Sequence, residues 1–328
     1  MKVSCVLFVL GVILGGIARA ADWATFTPPT GLANRKHIVL LAGEEEYRAE
    51  ESLPMLAKIL AQRHGFTCTV LFSLNPRDGT IDPGNQTNVP GLHLLDSADL
   101  MILQFRFREL PDAGMKHFMD YAQSGRPVLA LRTATHAFSY ERHPNSPFAR
   151  CDWRSTEWPG GFGQQVLGET WVAHHGVHGQ ESTRGVVDGR QAGHPVLRGV
   201  GTIWGPSDVY TVKNLKPTDT VLMHGLVLQG MQPDAGPNFA KSLMPIVWVR
   251  DHRWENGNTT RALTTTLGAA GDLASEDLRR LLVNACYWLT GLEVPARADA
   301  ACVGEFNPSP FGFGKFIKAV KPSDFTAK

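Results

Sequence analysis

The sequence has no excess of charge of either sign. Its 328 residues include 32 basic and 31 acidic side chains, which gives a formal net charge of +1. Nucleic-acid-binding domains need a basic face, and anionic membranes attract clusters of Lys and Arg. Because the two signs are interleaved along this chain, we expect neither a nucleic acid nor a membrane surface as its partner.

Cysteine is scarce, with five in the whole chain. Cys5 lies close to the start, and the others are too scattered for a disulfide scaffold. Two arrangements of these others stay open: a single Cys286–Cys302 bridge, or free buried thiols. The others are Cys68, Cys151, Cys286 and Cys302.

Long apolar runs are missing beyond residue 20. Before it, Lys2 precedes an apolar stretch over 6–17 and the small-x-small triplet Ala18-Arg19-Ala20. This order is typical of a secretory signal peptide, here residues 1–20. The stretch is shorter than the about 20 residues that span a bilayer, although a retained amino-terminal anchor is the alternative. We therefore predict an exported chain, periplasmic or secreted, without a membrane span after cleavage.

Several common catalytic motifs are also missing. The first predicted strand leads into acidic residues rather than into a phosphate-cradling glycine-rich loop. No dinucleotide fingerprint, HExxH helix or EF-hand loop occurs. Related folds keep a Ser or Cys nucleophile on a strand-to-helix turn, but this chain has Thr133 there, which is a poor nucleophile without a well-placed base.

What the sequence does contain, after residue 36, is an alternation of short apolar runs and helical patterns typical of βαβ units. Predicted strands cover 37–42, 66–72, 99–105, 127–131, 196–197, 220–228, 245–249 and 261–266, and predicted helices cover 50–64, 111–124 and 275–289. The pattern predicts one α/β domain over 37–292, with a doubly wound, mostly parallel sheet and helices on both faces. Residues 21–36 are predicted to be an extended lead-in, and 293–328 a Pro/Phe/Gly-rich surface tail.

Polar clusters follow four of the predicted strands, at 43–48, 106–109, 132–136 and 250–253. Ligands of open α/β sheets bind outside the carboxyl ends of the strands, so we expect these clusters to meet in one crevice. Carboxylates and an imidazole there would transfer protons, and arginines would orient substrate oxygens. The candidate catalytic residues are Glu45, Glu46, Arg106, Arg132, Thr133 and His136. In the alternative interpretation, Arg132 only neutralises one of the glutamates at 44–46, and which of these faces the crevice stays open.

Aromatic residues in the long loop over 138–165 favour a sugar-binding wall, because flat apolar rings suit pyranose faces. Trp153 and Trp158 lie in this loop, whereas Trp248 and Trp288 lie in core-like patterns. The candidate substrate-binding residues are Tyr47, Arg48, Arg108, Trp153, Trp158 and Asp208.

The densest imidazole cluster is formed by His174, His175 and His178, with Glu181 nearby. Such a set could bind Zn²⁺ or a similar divalent metal, although its spacing matches no zinc signature. In a strand, His174 and His175 would point to opposite faces, so at most two of the three histidines would share a site. Hydrogen-bonding or acid–base roles, and ordinary packing, are the alternatives to a metal.

Several segments together resemble a known family. They are residues 42–51, 129–138, 162–163, 171–185, 194–196, 208–210, 264–268 and 279–288. In order and spacing they resemble the ThuA-like family, named for trehalose utilisation, and in particular its exported members in planctomycete-type bacteria. The resemblance implies a class I glutamine amidotransferase-like, flavodoxin-like fold and a link to carbohydrate metabolism.

The chain departs from that pattern in two places. Amidotransferases of this fold use a cysteine where this chain has Arg132 and Thr133, so we do not expect glutamine hydrolysis. Many ThuA-like proteins also carry Gly-His where this chain has Gly268 and Ala269, and His at the position of Arg132.

The leading interpretation is an exported protein that acts on a carbohydrate or an oxidised (keto) sugar or glycoside by acid–base, metal-assisted chemistry. As an enzyme it would be a sugar-processing hydrolase or lyase. The alternative is a non-catalytic carbohydrate-binding protein that works beside a sugar dehydrogenase or hydrolase. A third interpretation is an interaction scaffold that uses the Phe-rich residues 306–316. The sequence specifies no oligomeric state.

Overall fold

The computed structural model describes residues 22–326, so the predicted signal peptide and Cys5 lie outside the described residues. Within these residues, ten strands form one sheet, and three α-helices pack on it. The strands are β1 (Trp23–Phe26), β2 (His37–Gly43), β3 (Thr67–Phe72), β4 (Leu100–Phe105), β5 (Val128–Leu131), β6 (Ser182–Val187), β7 (Trp204–Gly205), β8 (Thr220–Leu228), β9 (Met244–Arg253) and β10 (Thr259–Thr265). The helices are α1 (Ala49–His64), α2 (Asp112–Gln123) and α3 (Glu276–Leu289).

The sheet has a parallel half and an antiparallel half, in the order β1-β3-β2-β4-β5-β10-β9-β8-β6-β7. Strands β3, β2, β4, β5 and β10 are parallel to their neighbours within this group. All pairs from β10 to β7 are antiparallel, as is β1 with β3. The prediction of an α/β fold is confirmed, but the sheet is mixed, and only its first half is parallel.

Helices cover both faces of the parallel half, as predicted. Side chains alternate along the fully apolar strand β2, so Ile38 and Leu40 join one hydrophobic cluster while Val39 and Leu41 join the other. The first cluster contains the buried faces of α1 and α3, and the second contains that of α2. The predicted helix boundaries also hold: Ser275 accepts a hydrogen bond from the Leu278 amide at the start of α3.

Two local predictions from the sequence are wrong, and three strands were not predicted. Residues 196–197 lie in a short 3-10 helix, Pro195–Leu197, rather than in a strand. Strand β1 lies in the predicted lead-in, and β6 and β7 were not predicted. The cluster at 250–253 belongs to β9, which runs antiparallel to β10. This cluster therefore lies at the opposite end of the strands from the other three clusters.

The residues after α3 lie across the surface, as expected of the tail. The Arg63 guanidinium of α1 donates hydrogen bonds to the carbonyls of Ala301 and Cys302. Farther along, the Phe325 ring stacks on Phe72 at 5.5 Å. All four cysteines in the described range are free thiols, so the Cys286–Cys302 bridge does not form. Within residues 22–326, no helix has the length and apolar character needed to cross a membrane.

Candidate functional site

Three polar turns meet at the carboxyl edge of the parallel strands, at 43–48, 106–109 and 132–136. Each contains a non-glycine residue with a left-handed backbone: Arg48 at φ 64°, Phe107 at φ 51° and Arg132 at φ 43°. Such conformations cost free energy and persist only where surrounding contacts hold them, commonly at functional sites. The three turns thus bring three strained residues together at one end of the parallel strands, where the sequence predicts a crevice.

The three adjacent glutamates have different surroundings. Glu44 is fully buried, and its carboxylate accepts hydrogen bonds from the backbone amides of Glu46, Tyr47 and Ala49, so it shapes the turn. Glu45 binds two guanidinium groups, those of Arg106 and Arg108. Glu46 faces the crevice, with its Oε1 3.3 Å from Nε2 of His178.

Arg132 lies at the centre of the site, but its guanidinium is fully buried and contacts protein groups. It donates to the carbonyls of Asp208 and Thr266 and, at 2.8 Å, to Oδ1 of Asp208. Its carbon lies 4.4 Å from the ring centre of Tyr47 and 3.8 Å from that of Tyr210, between the two rings. In this arrangement Arg132 positions Asp208 and the two tyrosines.

Asp208 holds two imidazoles at once. Its Oδ2 lies 2.7 Å from Nδ1 of His174, and its Oδ1 lies 3.0 Å from Nδ1 of His178. Burial alone would raise the pKa of Asp208, but Arg132 and the two histidines hold that pKa well below its usual range. The hydrogen bond to Asp208 raises the pKa of His178 above its usual value, although partial burial opposes the shift. Asp208 is therefore an anion that orients both rings.

His136 has a very different environment. It is 3% exposed, and its ring lies 5.1 Å from that of Phe107 and 5.2 Å from that of Trp171. Burial lowers the pKa of His136 well below its usual value, and the positive charges of Arg106, Arg132 and His174 lower it further. His136 is therefore a neutral imidazole at pH 7.

His174, His178 and Asp208 form a group that could hold a metal, because each offers a ligand atom within 4.8 Å of the others. Two imidazoles and a carboxylate suit a borderline metal such as Zn²⁺. His175 is not part of this group, since its Nε2 lies 2.9 Å from the carbonyl oxygen of Ser242. Two of the three histidines, His174 and His178, therefore belong to this group.

The other predicted site residues are distributed unevenly. Arg48 and Arg108 are fully buried, and both donate to backbone carbonyls. The Thr133 hydroxyl is buried and has no hydrogen-bond partner among the described residues. Trp153 contacts Phe107, with 5.5 Å between the ring centres, and Phe107 in turn contacts His136. Trp158 instead packs against Trp254, at the opposite edge of the sheet.

Four aromatic residues of the site received no role from the sequence. Trp171 and Tyr210 lie 4.8 Å apart and link His136 to His174. Phe107 is an aromatic residue inside the polar cluster at 106–109, and this unusual position is what could have indicated a role for it. Phe311 belongs to the tail, and the composition of the tail does not predict that any of its residues contacts the site.

The turn that carries Arg132 and His136 packs closely on a π-helix, Gly163–Leu167. A Cβ built on Gly163 would lie 1.8 Å from the carbonyl oxygen of Thr135, so only glycine permits this approach. We expect Gly163→Ala to lower the free energy of unfolding by about 1–3 kcal/mol, measured by urea denaturation. Gly189→Ala is the control, since a Cβ there meets nothing within 4 Å. Equal stability of the two variants would contradict this account.

Known structures resemble this fold at low sequence identity. A protein described as ThuA-like, from Parabacteroides merdae, matches with a TM-score of 0.52 and 16% identity, over 85% of this chain and 97% of that one. Another protein described as ThuA-like, from Bacteroides uniformis, matches with a TM-score of 0.48 and 17% identity, over 78% of this chain and 92% of that one. No protein-family model and no curated protein matches the sequence. The chain therefore shares the α/β fold of the Parabacteroides merdae protein.

Proposed function

We propose that this chain is an exported ThuA-like protein that acts on an oxidised (keto) sugar or glycoside by acid–base chemistry. The shared fold supports the family assignment. The order β3-β2-β4-β5-β10, which is 2-1-3-4-5 along the chain, supports its flavodoxin-like, class I glutamine amidotransferase-like form. Export to the periplasm or the medium, and the likeness to planctomycete-type members, rest on the sequence alone.

The observation that carries the proposal is the contrast between two imidazoles at one crevice. His136 lies among aromatic rings, and no carboxylate within residues 22–326 forms an ion pair with it. His178 lies between the carboxylates of Asp208 and Glu46. A neutral imidazole accepts a proton, and an imidazole between carboxylates keeps one, so the two environments provide a base and an acid.

These groups suit β-elimination from a glycoside that carries a ketone at ring carbon 3. His136 takes the proton from carbon 2, and that C–H electron pair forms a double bond to carbon 1. The bond from carbon 1 to the leaving oxygen breaks with its electron pair, and this oxygen receives a proton from His178. The products are an unsaturated keto sugar and an alcohol. Elimination needs no nucleophile from the protein, and the residue at the nucleophile position, Thr133, is a poor one.

The test is to incubate the purified protein with methyl β-D-glucopyranoside and with its 3-keto derivative, and to analyse the products by mass spectrometry. We expect methanol and an unsaturated keto sugar from the ketone alone. A first sugar product heavier by one water, the saturated keto sugar, would identify a hydrolase instead. No methanol from either compound would overturn the catalytic proposal.

A non-catalytic carbohydrate-binding protein, working beside a sugar dehydrogenase or hydrolase, is the second candidate. It is favoured because Arg106 and Arg132, expected to orient substrate oxygens, bind protein groups instead. Saturable binding of both glucosides without methanol release would support this candidate.

A divalent metal held by His174, His178 and Asp208 would polarise a substrate carbonyl, and His178 would then be a ligand, so that water rather than His178 would protonate the leaving oxygen. Independently of any bound metal, Asp208 orients the two rings, and Arg132 fixes Asp208.

The chain offers a matched pair of variants to test the metal site. We expect a stoichiometric divalent metal in native protein purified without chelator or metal-affinity tag. His174→Ala should lose it, because a ligand is removed, whereas His175→Ala should retain it, because that ring points elsewhere. Elemental analysis measures the content. A metal-free native protein, or equal loss in both variants, would contradict the assignment.

A further inference from the structure

A cavity of about 550 Å³ lies beside the imidazole of His178. It is lined by His178, Gly179, Pro206, Met231 and Gly271, and by 308–312 and Lys315 of the carboxyl-terminal segment, residues 308–315. This volume is within the usual range for small-molecule sites, about 300–1,000 Å³. Of the residues with a role in the proposed elimination, His178 alone lines this cavity.

The carboxyl-terminal segment is bound in place by backbone hydrogen bonds. The Gly312 amide donates to the carbonyl of Glu46, and the Gly312 carbonyl accepts from the buried guanidinium of Arg48, both at 2.7 Å. The Ser309 amide donates to a carboxylate oxygen of Glu51, also at 2.7 Å. The segment is thus fixed to the same turn that carries the crevice glutamate Glu46.

Phe311 brings an aromatic face to the boundary between cavity and crevice. Its ring lies 5.6 Å from the ring of Tyr47 and 5.2 Å from that of His178. Pro308 and Pro310 also line the cavity, and Lys315 is the single Lys, Arg, Asp or Glu among its lining residues in the described chain. The apolar side chains therefore suit an apolar group that lies next to His178.

We infer that this cavity is a subsite for the leaving group of a glycoside and that it selects an apolar, aryl leaving group. The inference rests on the proposed function, in which the leaving oxygen of the glycoside lies next to His178. A sugar in the crevice then places its leaving oxygen at His178 and the group beyond that oxygen between Phe311 and Met231. The carboxyl-terminal segment is thereby a specificity-determining part of the site.

The test compares phenyl and methyl β-D-glucopyranoside, which carry no ketone and are not consumed, by isothermal titration calorimetry. Native protein should bind the phenyl compound about tenfold more tightly, given five additional carbon atoms in an apolar pocket. Phe311→Ala should abolish this preference, and so should Met231→Lys, which places a charge in the cavity lining. Phe239→Ala is the control, because Phe239 is 85% exposed and does not line the cavity.

The outcomes separate this inference from the proposed function. Equal affinity of native protein for the two glucosides, or an unchanged preference in both Phe311→Ala and Met231→Lys, would overturn the subsite and leave the elimination chemistry standing. If neither glucoside binds, the proposed function is in doubt, and phenol alone decides the subsite by ligand-observed NMR. Saturable phenol binding that is weakened by Phe311→Ala supports an apolar site, and no binding overturns it.

Discussion

An Asp208→Ala variant should be much less stable than the native chain, because it leaves the Arg132 guanidinium buried without a counter-charge. Neither side chain has exposed surface, and Nη2 of Arg132 lies 2.8 Å from Oδ1 of Asp208. Removing one partner of a buried pair lowers the free energy of unfolding by about 3–5 kcal/mol. Urea denaturation followed by circular dichroism measures the loss, and an unchanged denaturation midpoint would contradict the assigned role of Asp208.

A double variant separates charge burial from site geometry. Arg132→Met combined with Asp208→Leu removes both charges and keeps apolar bulk, and such replacements are often neutral for stability. We therefore expect most of the lost free energy of unfolding to return. Activity should not return, since His174 and His178 have lost the carboxylate that orients them. Recovery of both properties would show that Asp208 serves folding alone.

The parallel half of the sheet was predictable because its signals are local. A fully apolar run such as β2 indicates a strand covered on both faces, and a periodic stripe such as that of α3 indicates a helix on one of them. Parallel neighbours need helical crossovers, so the alternation of strands and helices predicts their direction. Three of the four polar clusters consequently lie where the sequence placed them.

Strand direction in the other half is not encoded in the same way. The hydrophobic pattern of β9 is the same whether the strand runs up or down the sheet. Only the short connection from Arg253 to Thr259, which permits a hairpin, makes it antiparallel to β10. Because β9 is antiparallel, residues 250–253 lie at the end of the sheet away from the other three polar clusters.

The pairings inside the site depend on contacts far apart in sequence. Asp208 meets His174 and Arg132 across 34 and 76 residues, and no local pattern predicts such partners. The buried position of Arg132 has the same origin, because two tyrosines and two backbone carbonyls enclose it only after the sheet has formed. The sequence motifs thus predict which end of the strands carries the site. The partners of each side chain there depend on tertiary packing.

Replacing His136 with Ala should reduce kcat/KM on the 3-keto glucoside by about 10²–10⁴-fold, the usual contribution of a general base. Its burial among aromatic rings makes it neutral, and no other imidazole in residues 22–326 combines that burial with a place at this crevice. His117→Ala is the matched control, since that ring lies on α2 and pairs with Asp96. Equal rates for the two variants would remove His136 from the mechanism.

The pH dependence of the native protein gives a second, independent test of the same residue. A base works when it is deprotonated, so activity should fall as pH drops through the pKa of His136. Burial lowers that pKa well below 6.5, with positive neighbours adding to the effect. The acidic limb of kcat/KM should therefore lie well below pH 6.5, where an exposed histidine would already be protonated. Arg106 supplies part of the positive charge, so an Arg106→Gln variant should move this limb toward higher pH. A limb that stays in place in Arg106→Gln, or that lies near 6.5 in the native protein, would mean that a different group accepts the proton.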